Sequence, residues 1–139
     1  MGGFRGRARF PSSRASIISV RSRDRHAIQI PDRTALEGQY VDADYAARRQ
    51  NVFVVAVHCG QAGGTCFCVS MKTGPKATCG FDLALTELLE PHRFVVETGT
   101  ERGAELLDRL QATPAADVDC EEAEAVVEAT SRSMGRQMD

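Results

Sequence analysis

Three of the five cysteines in this 139-residue chain fall in one stretch, His58 to Pro75, which reads HCGQAGGTCFCVSMKTGP and carries Cys59, Cys66 and Cys68. Thiolates are soft, anionic donors that suit zinc, copper(I) and iron-sulphur clusters. Gly60, Gly63, Gly64 and Gly74 let backbone N–H groups approach sulphur, and a Gly63-Gly64 turn can fold the segment back so that the three thiols meet. In an extended Cys-x-Cys pair the side chains alternate, which puts Cys66 and Cys68 on one face and sends Phe67 the other way, into a core or a shield. The first expectation is therefore a thiolate site for a soft metal or an iron-sulphur cluster.

The ligand count tests that expectation. Structural zinc and cubane clusters usually take four protein ligands. Cys59, Cys66 and Cys68 supply three, and Cys79 becomes a fourth only if the excursion after Cys68 returns. The spacing matches neither the common zinc-finger pattern nor the bacterial ferredoxin run. Buried or incidental free cysteines are the alternative. His58 can serve as a ligand or lower the pKa of its neighbouring thiol, against the plainer reading of a histidine that ends a strand and faces solvent. Lys72 and Lys76 can offset cluster charge, against a solvated loop surface. Thr98, Gly99 and Thr100 can cradle an anion at a helix N-terminus, although a plain helix cap explains them more economically. Asp82, Glu87, Glu97 and Glu101 single out no acid/base pair, and nucleophile-elbow, zinc-protease, Walker and dinucleotide fingerprints do not occur. Hydrolase chemistry has no support, and the chain is expected to be non-catalytic.

The elements that must position these residues follow from periodicity. Asn51 to His58, NVFVVAVH, is apolar and β-branched almost throughout, as in a strand buried on both faces, and it leads straight into the cysteine loop. Ala15 to Val20 is a second short strand, closed by the charges of Arg21 to Arg25. Pro31 argues against one uninterrupted helix over His26 to Leu36. Asp42 or Asp44 caps a helix through Tyr45 to Arg49. Phe81 to Thr86, with Phe81, Leu83 and Leu85 on one face, and Arg93 to Thr98 read as two strands joined by a short connection; a helix over Asp82 to Leu89 is the rival. Thr100 caps a helix over Glu101 to Leu110 with Leu106, Leu107 and Leu110 inward. A last acidic helix spans Ala116 to Met138, with a thin apolar face of Val118, Val126, Ala129 and Met134; Cys120 near its start reads as a partly exposed cysteine.

These elements give an α/β fold: a small mixed sheet with flanking helices and a Gly/Cys-rich loop at one end. Residues 1–14 read as a disordered basic tail, 15–112 as the α/β domain, and 113–139 as an acidic helix that connects to a further module. The net charge of −2 conceals an asymmetry, with eight arginines against two aspartates over residues 1–33 and nine basic against seventeen acidic residues thereafter. Those arginines lack lysines and interleaved aromatics, so no nucleic acid is expected as a partner. No apolar stretch approaches a bilayer span of about 20 residues, so no membrane span is expected. An odd number of cysteines with a Cys-x-Cys pair is not a disulfide framework, which places the chain in the cytoplasm.

VDADYAARR, VFVVAVHCGQAGGTCFCVSMKTGP, GFDLALTEL and VETGTERGAELL together resemble the 4Fe-4S dicluster proteins related to the A-type subunits of anaerobic sulfite reductase and to sulfhydrogenase-type hydrogenase β subunits. The resemblance covers roughly Val20 to the C-terminus, and TCFC with the upstream cysteine and the downstream GP is its most specific part. It implies an electron-transfer subunit working with a diaphorase-type, hydrogenase or reductase partner. It also implies 4Fe-4S clusters held on ferredoxin-like cysteine runs that are not in this sequence, as in a truncated or split product. The residues it carries over are Cys59, Cys66 and Cys68, as thiols of the upstream domain. Arg23 stands where the family stretch carries a cysteine, Lys72 replaces a glycine, and Cys79 falls outside the family pattern. A non-redox interaction domain with free cysteines and a small structural zinc domain stand as alternatives.

Overall fold

A computed structural model describes residues 16–37 and 39–135. The basic tail expected over residues 1–14 lies outside them. The chain runs β1 (Ser16–Arg21), α1 (Ser22–Leu36), α2 (Ala43–Gln50), β2 (Val52–Val57), β3 (Leu83–Leu89), β4 (His92–Thr98), α3 (Glu101–Leu110) and α4 (Asp117–Ser133). The strands form one sheet in the order β1-β2-β3-β4. β1, β2 and β3 are parallel, and β4 returns antiparallel to β3. The fold is the expected α/β with a small mixed sheet.

The apolar run on β2 makes it central: it pairs with β1 over its whole length and with β3 through Val55, Ala56 and Val57. Val54 and Ala56 pack with Ala77, Phe81 and Ala84, and Ile18, Val20 and Val52 close the cluster. Ala56 and Ala84 have no exposed surface, and their small side chains let the segment around Ala77 lie directly on the sheet. Parallel strands need a long crossover, commonly a helix. Between β2 and β3 that crossover is the cysteine loop itself.

Asp42 caps α2, its Oδ1 accepting from the Asp44 and Tyr45 amides at 3.0 Å each. The segment over 83–89 is a strand and not the rival helix. Register with β4 decides this, because Thr86 and Leu88 are buried on the sheet face that meets Val95 and Ala123. Leu83 and Ala84 are both buried, so the start of this strand is covered on two faces rather than the one foreseen from Phe81, Leu83 and Leu85.

Pro31 does not interrupt α1, which runs through it to Leu36. Proline removes one backbone donor and frees the carbonyl four residues earlier, at Ala27, and both Ala27 and Pro31 are exposed. Tertiary contacts hold the helix on either side: Arg25 Nε donates to Gly80 O at 2.8 Å, and Asp32 accepts from Tyr45 Oη at 2.7 Å and Arg49 Nε at 3.0 Å. Leu110 is 64 % exposed and Val118 57 %, so neither faces inward as foreseen, and Ala129 is exposed too. The covered face of α4 is Ala123, Val126 and Thr130, and Ala123 packs on Leu88 and Val95.

Asp82 joins β2, β3 and α3. Its Oδ2 accepts the Val54 amide at 2.8 Å and its Oδ1 accepts from Thr100 Oγ1 at 2.7 Å. Thr100 Oγ1 in turn accepts the Gly103 amide at 3.2 Å, and the Asp82 amide donates to Val54 O at 2.8 Å. Gly103 is required here, since any Cβ at that position would collide with Asp82 O.

Candidate functional site

The carboxyl ends of β1, β2 and β3 lie together because the three strands are parallel. In open α/β sheets that end is where ligands bind. Here it carries Arg21 at the end of β1, His58 and Cys59 directly after β2, and Leu88 and Leu89 at the end of β3. These residues line a cleft of about 1020 Å³ together with Glu87, Glu90, Glu122 and Val126.

Backbone hydrogen bonds fix the cysteine loop on this end. The Cys59 amide donates to Pro75 O at 3.3 Å, so the loop's two ends are tied, and the Thr73 amide donates to Cys68 O at 2.9 Å. Within the loop the Cys66 amide donates to Gly63 O at 3.0 Å, and the Gly63 amide donates back to Cys66 Sγ at 3.3 Å. Ser22 at the start of α1 is buried beneath the loop, with Oγ 2.6 Å from Thr73 O and 2.9 Å from Lys76 O. A methyl group built on Gly74 would stand 3.2 Å from Ser22 Cβ and 3.5 Å from Cys68 Cβ. A side chain at Gly74 would crowd Ser22 where the loop seats on α1.

Cys59, Cys66 and Cys68 are all free and half-buried. Burial pushes the Cys59 thiol above its ordinary pKa; Arg21 opposes this, nearby Cys68 and Cys66 add to the rise, and Arg23 opposes it again. The three thiols expected to act together thus share one electrostatic neighbourhood. Cys79 and Cys120 are exposed, and neither bears on Cys59. Among the described residues no group of three or more His, Cys, Asp or Glu side chains is arranged to hold a metal ion. The donors fit a soft cation in kind, but they are three in number and do not converge.

His58 is buried, with 4 % of its surface exposed, and does not face solvent as expected for a strand-ending histidine. Its Nδ1 shares a hydrogen bond with Thr86 Oγ1 at 2.9 Å, while Nε2 is buried without a hydrogen-bond partner. Desolvation pulls its pKa below the ordinary histidine value; Glu97 acts upward, Lys76 downward, and the Ala77 backbone upward. Lys76 pairs with Glu97 at 3.0 Å on the surface rather than standing free in the loop. Phe67 is 38 % exposed and so does not enter a core, and Val69 and Met71 are exposed beside it in sequence. Loop turns explain this reversal: the Met71 amide donates to Phe67 O and the Lys72 amide to Val69 O, so the segment is not the extended strand that alternation assumed.

Thr98 to Thr100 form a plain cap. The position an anion would take at the start of α3 is served by the Asp82 carboxylate through Thr100. Sequence reading passed over Asp82 because its role depends on three elements meeting, and no spacing motif encodes that. No helix among the described residues is long and apolar enough to cross a membrane. Comparison with family models, curated proteins and solved structures yields no match to this chain.

Proposed function

We propose that this chain is a docking and electron-relay domain of an iron-sulphur electron-transfer subunit in the cytoplasm, with a hydrogenase, reductase or diaphorase-type protein as partner. Cys59, Cys66 and Cys68 are its thiolate donors toward a 4Fe-4S cluster or related soft metal. The observation that supports this reading is the seating of the cysteine loop at the carboxyl end of the parallel strands, with the Cys59 amide tied to Pro75 O and Gly74 lying against Cys68 and Ser22. Sulphur donors of this kind suit a soft cation. The resemblance carried by TCFC and its flanks points the same way.

Anaerobic purification followed by iron, acid-labile sulphide and zinc analysis tests the proposal. Iron and sulphide in comparable amounts, lost in Cys66→Ser, are the expected result. Zinc alone, lost in the same variant, would instead make the loop a structural zinc site. A folded chain free of all three would sink the metal reading. A non-redox interaction domain is then favoured by a specific observation, the exposed Phe67, Val69 and Met71 on the loop.

A further inference from the structure

β4 is an edge strand, and its outer side carries backbone groups that the sheet leaves open. It pairs only with β3, with Leu83 opposite Thr98 and Leu85 opposite Val96. Opposed residues of an antiparallel pair alternate between those that exchange backbone hydrogen bonds and those that do not. Two bonds fix the phase: the Gly99 amide donates to Asp82 O, and Leu85 O points toward β2, where it accepts the His58 amide, both at 2.9 Å. Ala84 with Glu97, Thr86 with Val95 and Leu88 with Arg93 are therefore the bonded pairs, and Phe94 and Val96 turn their N–H and C=O groups outward. Among the described residues no other backbone reaches those groups.

A groove of about 620 Å³ borders this edge, lined by residues 93–96 of β4, Leu107 and Asp108 of α3, the 111–115 link and Asp119 of α4. Phe94 and Val96 share one sheet face, and Phe94 is 48 % exposed. Arg93 and Val95 share the other face, where Ala123 of α4 packs on Val95. The charged groups of the groove are Asp108 and Asp119 against Arg93, and Arg93 is already held by Asp119 at 3.0 Å and by Glu122. Asp117 adds a further acid to the first turn of α4. The edge thus combines unpaired backbone, an exposed aromatic ring and an excess of carboxylates.

We propose that the β4 edge is a docking site for a basic, extended peptide segment of a partner protein, which adds a strand to the sheet. Main-chain hydrogen bonds to Phe94 and Val96 hold the segment, and its side chains alternate between the two faces. Apolar side chains lie beside Phe94, and the arginines or lysines between them meet Asp119 and its acidic neighbours. A second copy of this chain fits the edge less well, because pairing β4 with β4 brings two acidic rims together. The site uses neither the cysteines nor a metal.

Amide hydrogen exchange of the full chain, read by NMR, tests it with a hexapeptide of alternating arginine and valine as probe and one of alternating glutamate and valine as control. In the free chain the Phe94 and Val96 amides should exchange fast, while the Val95 amide, bonded to Thr86, is protected. At saturating basic peptide we expect exchange at Phe94 and Val96 to slow by about tenfold or more, with no change from the acidic peptide. Val96→Pro removes an outward N–H and no bond to β3, a substitution that edge strands tolerate. It should weaken the basic peptide by about tenfold in fluorescence anisotropy while Val95 stays protected, and Asp108→Asn by about threefold. Binding that leaves Phe94 and Val96 exchange unchanged is charge adhesion alone and overturns the proposal, as does no binding or equal slowing by the acidic peptide. Protection of both amides in the free chain that is lost on dilution assigns the edge to a second copy and overturns it too. Exchange in the parent chain gives the answer even where Val96→Pro fails to fold. Metal analysis of the purified chain decides the iron-sulphur reading separately.

Discussion

The Asp82 junction and the cysteine loop sit at opposite ends of the same strands and treat polar groups in opposite ways. At the junction both Asp82 carboxylate oxygens are satisfied, one by the Val54 amide and one by Thr100. At the loop end three thiols are free, and His58 Nε2 is buried without a partner. A fully satisfied buried network fixes one arrangement, whereas unsatisfied groups are tolerated where something else is to be met. The contrast teaches that the junction holds the fold, while the loop end leaves a buried ring nitrogen without a partner.

The largest effect should come from the junction. Asp82→Ala strands the Val54 amide in the core, a loss of about 1–3 kcal/mol for a buried group left unpaired, and removes the acceptor of the exposed Thr100 hydroxyl, which water replaces at small cost. Urea denaturation should therefore show a destabilisation of about 2–3 kcal/mol, most of it from the Val54 amide. A loss below about 1 kcal/mol would mean that water replaces the carboxylate and that the junction is not the structural centre.

At the loop end, Thr86→Val keeps the volume but leaves His58 Nδ1 unpartnered as well as Nε2, and should cost about 1–2 kcal/mol. Cys66→Ser should cost less than that in the metal-free chain, about 1 kcal/mol or under, because its thiol is only half-buried. Should Cys66→Ser prove as damaging as Asp82→Ala without metal, the loop would be structural and the contrast would fail.

The sequence made much of this architecture legible where a single local signal decides. β2 announces itself by its β-branched run, α2 by a cap at Asp42 or Asp44, which the structure resolves to Asp42, and α3 by Thr100, and each element appears at the expected place. The failures occur where tertiary contacts override a local rule. Pro31 is accommodated because Arg25 and Asp32 hold α1 on either side of it. The exposure of Phe67 follows from turns that no alternation rule anticipates, and the burial of His58 follows from Thr86, a residue 28 positions away across the sheet. The three cysteines read as a group in the sequence, yet among the described residues they are half-buried and do not converge on one point. The nearness of Arg21 to Cys59 has no signal in the sequence, because only the parallel pairing of β1 with β2 brings the two strand ends together.

The subtlest prediction concerns the histidine that separates the two regions. Its folded pKa lies below the ordinary value of 6.5. Above that pH both folded and unfolded chains carry it neutral, and its contribution is constant. As pH falls below 6.5 the unfolded chain takes up the proton first, so stability is lost progressively toward the depressed folded pKa. His58→Asn should flatten that part of the urea-midpoint profile relative to the parent chain. The Lys76–Glu97 pair then gives a test by sign. Each partner is about a third or more exposed, so removing the pair should change stability by no more than about 0.5 kcal/mol. Glu97 raises the His58 pKa and Lys76 lowers it, so Glu97→Gln should move the His58 titration to lower pH and Lys76→Gln to higher pH. NMR titration of the imidazole reads both shifts. Opposite signs place His58 beneath this pair on the covered face, whereas shifts of the same sign would mean that the loop rearranges when either charge is removed.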